Sequence, residues 1–123
     1  MSRSVVRCEF DFRSADQAYW GTVVLDISAG DDEAALRKKA EDGPCYGEAV
    51  PNQSDATYKV ARLCSQKIND KAFSGVFVAS EERYAHTLAG FSSSSLSPDQ
   101  VVAYANTSAQ RIVDRAMTLQ ATD

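Results

Sequence analysis

Polar and apolar positions alternate strictly over residues 5–13, with Val6, Cys8, Phe10 and Phe12 on one side and Arg7, Glu9, Asp11 and Arg13 on the other. Side chains of a strand point to opposite faces in turn, so the pattern predicts a strand with one wet face and with Phe10 and Phe12 inward. A second strand is predicted over Tyr19–Ile27. Tyr19, Val23, Leu25 and Ile27 share one face, while Trp20, Thr22, Val24 and Asp26 share the other. The only Trp therefore falls on the charged side of the sheet.

Further along, Gly30-Asp31-Asp32-Glu33 reads as a helix start, since an Asp accepts bonds from free backbone N–H groups and acids suit the positive end of the helix dipole. This short helix runs to Ala40, and Gly43-Pro44 closes it. Residues 43–53, with two Gly and two Pro, read as a loop. Ser54-Asp55 is the expected cap of a second helix reaching Lys71, with Ala56, Val60, Leu63, Cys64 and Ile68 on its apolar stripe. Asn69 and Asp70 then mark a frayed end.

The apolar run Gly75–Ala79 predicts a strand in the middle of the sheet. Residues 81–91 are open to two readings. As a helix they align Tyr84, Leu88 and Phe91, and as a strand they align Tyr84, His86 and Leu88. Thr87, Gly90 and the aromatic residues tilt the choice towards the strand. After the four serines at 92–95, Ser97-Pro98-Asp99-Gln100 supplies a cap, a proline at the first helical position and a capping-box Gln. Leu96 and Val101 occupy the staple positions, and Val102, Ala105, Ala109, Ile112, Val113 and Ala116 trace the inner stripe of a final helix. These elements predict one α+β domain over residues 1–123. Its small antiparallel or mixed sheet has three to four strands, opens with a hairpin and packs against about three helices on one face.

The composition, 44% hydrophobic and 24% charged, is that of a globular chain. The net charge of −4 is concentrated between Asp26 and Glu48, where seven acids meet three bases and the sum is already −4. A nucleic-acid binder usually carries a basic surplus, so no direct nucleic-acid partner is expected. A protein partner with a basic surface suits the field better. Three cysteines, Cys8, Cys45 and Cys64, are odd in number and lack short spacing, which reads as a reducing compartment. Neither a signal peptide nor an apolar run of membrane length is seen, so the expected setting is the cytoplasm, with no membrane partner.

Candidate chemistry is sparse. Cys45 in Gly43-Pro44-Cys45-Tyr46-Gly47-Glu48 is a nucleophile candidate, with His86 as its base and Glu48 or Asp42 to orient the imidazole. Nothing in the spacing joins them, and acids around a thiol oppose its ionisation. His86 is the only histidine, and no zinc, calcium or phosphate-loop spacing occurs, so neither metal nor cofactor is expected. Lys59, Arg62, Lys67 and Lys71 give the second predicted helix a basic cast.

Trp20 with Val24 is the sharpest lead, because one rigid ring buries a large area at binding hot spots. The expected partner surface joins Trp20 and Val24 to Asp26, Asp31, Asp32 and Glu33. The leading reading is a small acidic protein-binding module: an inhibitor, adaptor or immunity-type factor. One version blocks a basic nucleic-acid-handling protein, as inhibitors carried by phage and other mobile elements do. The alternatives are a hydrolase or transferase using Cys45 and His86, and a homo-oligomeric structural subunit.

Overall fold

The computed structural model describes residues 4–50, 58–69 and 71–118. Among these the chain forms β1 (Ser4–Arg13), β2 (Trp20–Ala29), α1 (Glu33–Asp42), β3 (Glu48–Val50), β4 (Val60–Ile68), β5 (Lys71–Ala79), β6 (Arg83–Ser92) and α2 (Pro98–Thr118). The strands make one six-stranded sheet in the order β1-β2-β6-β5-β4-β3, and every neighbouring pair is antiparallel.

The opening hairpin matches the alternation of its sequence, with Phe10 opposite Val23 and Arg7 opposite Asp26. After β2 the chain crosses the sheet through α1, starts again at the far edge with β3, and returns strand by strand until β6 lies beside β2. Asp32 caps α1 by accepting a bond from the Ala35 N–H at 2.8 Å. Ser97 and Gln100 close the start of α2 as a reciprocal capping box. Leu96 and Val101 both join the core there. No helix among the described residues is long and apolar enough to cross a membrane.

The two helices cover opposite faces. Val101, Ala105, Ala109, Val113 and Ala116 of α2 pack with Val23, Leu63, Val76, Val78, Ala85, Ala89 and Phe91. Leu36 and Ala40 of α1 pack with Phe77, Ala79 and Tyr84, strand positions of the other parity. The expected sheet of three to four strands with about three helices on one face is thus overturned by six strands and a helix on each side. The acid-capped first helix, the strand at 75–79 and the strand reading of 81–91 are all found, with β5 in the sheet interior.

The segment expected as a second helix is β4. Its stripe of Val60, Cys64 and Ile68 fits a strand equally well, since all three are an even number of residues apart. Arg62 falls on that same face and hid the alternation. Its guanidinium donates to the carbonyls of Ala40, Glu41 and Gly43, so it serves as a cap on the end of α1 rather than facing solvent. Asn69, expected as a frayed helix end, has φ 57° in the reversal from β4 to β5. The expected cap Ser54-Asp55 lies outside the described residues, and the expected loop at 43–53 holds β3. The basic residues Lys59, Arg62, Lys67 and Lys71 are consequently spread over β4, the residue before it and the start of β5 rather than gathered on a helix face.

Two expectations about burial also fail. Phe12 is half-buried, but Phe10 is 40% exposed, because α2 lies over β4, β5 and β6 and leaves the β1 edge largely uncovered. Cys8, assigned to an apolar face, is a free exposed cysteine for the same reason.

Candidate functional site

The face that α1 covers only at one end is laid out as rows running across the strands, each set by the register of neighbouring residues. At the open end, Arg13, Trp20, Ser92, Lys71 and Ile68 form the first row. Asp11, Thr22, Gly90, Phe73 and Gln66 form the second, and Glu9, Val24, Leu88, Gly75 and Cys64 the third. The fourth row is Arg7, Asp26, His86, Phe77 and Arg62. Beyond it α1 closes over Tyr84 and Ala79.

Two adjoining concavities open on the first three rows. One, of about 500 Å³, is lined by Trp20, Val24, Phe73, Leu88 and Gly90, with Arg13, Lys71 and Asp11 at its rim. The other, of about 400 Å³, is lined by Pro44, Tyr46, Ile68, Phe73, Leu88 and His86. Phe73 and Leu88 belong to both and form the ridge between them. Gly90 is required beneath that ridge, since a Cβ there would come within 2.8 Å of the Phe73 ring. Lys71 Nζ stands 5.9 Å from the centre of the same ring, which holds a cation beside the apolar floor.

The fourth row ends the open area in a chain of polar contacts. Arg62 lies 5.0 Å from the Phe77 ring centre, and Phe77 stacks on His86 at 4.3 Å. His86 Nδ1 and Asp26 Oδ2 are 3.4 Å apart, and Asp26 meets Arg7 at 3.4 Å on its other side. Burial pushes the His86 pKa below its ordinary value, and the neighbouring Asp26 carboxylate only partly offsets it. The imidazole is therefore neutral at pH 7 and presents a polar group at the edge of the second concavity. Burial, reinforced by the same carboxylate, pushes the Tyr84 phenol up to about 12.

Cys45 is joined to Cys64 by a disulfide, so the expectation of unpaired cysteines is overturned. In this form Cys45 carries no thiol for His86 to activate, and it cannot act as a nucleophile. The bridge instead ties the loop bearing Pro44 and Tyr46 to β4, which holds up one wall of the second concavity. The spacing of the two cysteines gave no sign of this, because their approach depends on the crossover through α1. Among the described residues, no group of three or more His, Cys, Asp or Glu is placed to hold a metal ion.

The residues expected to form one surface are divided. Trp20 and Val24 line the first concavity, whereas Asp26 is held between Arg7 and His86 in the fourth row. Asp31 pairs with Lys39, Asp32 caps α1, and Glu33 begins that helix. At about 3.4 Å per residue, the length of β2 puts those three acids roughly 30 Å from Trp20. Phe73 and Leu88, which line the same concavity as Trp20, are the site residues that sequence reasoning missed, while Lys71 was expected only as part of a basic helix face. Lys71 lay at the supposed end of a helix and Phe73 in the gap before the next predicted strand, and only strand pairing brings them onto the face that carries Trp20. Comparison with family models, with curated proteins and with solved structures finds no match for this chain.

Proposed function

We propose that this protein is a protein-binding module that receives an extended segment of its partner across the open sheet face. The observation that carries this reading is the pair of concavities sharing the Phe73–Leu88 ridge. Two open apolar hollows side by side suit two apolar side chains of one segment, each burying area against a rigid aromatic floor. Arg13 and Lys71 outnumber Asp11 at the rim of the Trp20 hollow, so the segment carries an acidic group beside its aromatic or aliphatic anchor. This revises the expected basic partner, since Asp31, Asp32 and Glu33, which were expected to meet it beside Trp20, lie past the other end of β2. Inhibitor, adaptor and immunity-type roles are all forms of such binding. The disulfide supports a setting outside the reducing cytoplasm, because such bridges persist in oxidising compartments.

Trp20 is the only Trp, so its fluorescence reports directly on the site. Peptides selected from a random library against the folded protein should carry an apolar anchor next to Asp or Glu and should shift Trp20 emission on binding. Phe73→Ala should weaken them by about 2 kcal/mol or more, and Lys71→Glu should weaken them in a way that salt diminishes. Selected peptides that bind both variants as tightly as wild type would place the binding surface elsewhere.

A further inference from the structure

We infer that β1 pairs with β1 of a second copy of this chain, in an antiparallel register centred on Cys8, to make a continuous sheet through a two-fold dimer. This rests on the β1 edge alone and is independent of the open-face site. β1 is a ten-residue edge strand whose outer backbone groups have no neighbouring strand among the described residues. It also exposes apolar side chains, with Val6 48% and Phe10 40% accessible on the α2 side. A long apolar edge without a bulge or proline is a template for adding another strand.

The charges choose the second copy as occupant. A two-fold axis normal to the sheet keeps residues of the same parity opposite one another, so each allowed register is centred on a residue. Centring on Cys8 sets Arg7 opposite Glu9 of the other copy, twice over, and Val6 opposite Phe10, also twice. It pairs the strand from Ser4 to Phe12. Centring on Arg7 or Glu9 puts like charges on the axis, and centring on Phe10 sets Glu9 against Asp11 and Arg7 against Arg13. Arg7 already meets Asp26 on its inner side at 3.4 Å, so in the dimer it lies between two carboxylates. The free exposed Cys8 then falls directly opposite its copy. Facing residues of antiparallel strands have Cα atoms about 4.5 or 5.5 Å apart, within the reach of a disulfide.

Sedimentation and redox trapping test this on the full chain. Wild type should sediment as a dimer at tens of micromolar. Glu9→Arg and Arg7→Glu should each dissociate at least tenfold more readily, because each faces its own copy with like charges. An equimolar mixture of the two variants should recover the dimer, since each chain supplies the charge the other lacks. Circular dichroism should show both variants folded, as both positions are exposed. With oxidised glutathione, two Cys8 thiols should give up two protons and two electrons, forming an intermolecular disulfide and releasing two glutathione thiols. Cys8→Ser should abolish that covalent product yet leave the sedimenting dimer. A monomer at every concentration, variants that still dimerise singly, or a mixture that stays monomeric would each overturn the inference. So would a dimer lost in Trp20→Ala but kept in Glu9→Arg, which would assign the second copy to the open face instead.

Discussion

His86 and Asp26 face each other across β6 and β2, with Nδ1 and Oδ2 3.4 Å apart. An acid this close favours the imidazolium, yet burial against Phe77 outweighs it and the pKa falls. The consequence is a histidine that folds in its neutral form. Its folded pKa lies below the unfolded value of about 6.5, so the unfolded chain takes up the proton first as pH drops. The stability contributed by His86 is complete above that value and is lost as pH falls towards the folded pKa. Denaturation midpoints measured from pH 7.5 downwards should fall in wild type from about pH 6.5. They should fall less in His86→Gln, which retains a polar group without the titration. Equal acid sensitivity in the two proteins would remove His86 as the cause.

The capping box at the start of α2 makes a second prediction. Ser97 Oγ accepts from the Gln100 N–H, and the Gln100 side chain accepts from the Ser97 N–H. Ser97→Ala should cost about 1 kcal/mol in urea denaturation, because an orphan backbone donor loses its acceptor.

The uncovered edge strand reverses the ordinary ranking of phenylalanines. Phe91 is fully buried beneath α2, so Phe91→Ala should cost about 3–5 kcal/mol. Phe10→Ala, at a half-open position, should cost well under half as much in the monomer. Equal losses would mean that something covers β1 in solution at the concentration used.

The disulfide has a stability role and a site role. Its loop spans 19 residues. Cys45→Ser with Cys64→Ala should therefore cost about 3 kcal/mol through the freedom returned to the unfolded chain. It should also release Pro44 and Tyr46, so peptides that fill the second concavity should bind more weakly than those reaching only the Trp20 hollow. Uniform weakening of both peptide classes would argue that the bridge acts on the fold as a whole.

Finally, reversing Asp31 and Glu33 to Lys should leave the affinity of Trp20-reporting peptides unchanged at physiological salt. Roughly 30 Å of β2 separates the two places, several times the Debye length of about 8 Å. Fluorescence titration gives the answer, and a clear loss of affinity would show that the acidic end does reach the partner.

Local chemistry in the chain determined the opening hairpin, both capped helices and the face on which Trp20 sits. Each depends on neighbours within a few residues: an alternation, an Asp or Ser at a helix start, a Pro in the first turn. Tertiary structure decided the rest. Val60, Cys64 and Ile68 fit a helix and a strand alike, and only pairing with β5 settles the matter, while Arg62 shows its role only once the end of α1 lies beside it. Trp20 on β2 is some fifty residues or more from Phe73, Leu88 and His86 on the consecutive strands β5 and β6, and Cys45 meets Cys64 only because α1 carries the chain across the sheet. Phe10 looked like core because alternation tells which side a residue takes. Whether anything covers that side depends on where α2 is laid, and its docking over β4 to β6 left Phe10 at the open edge.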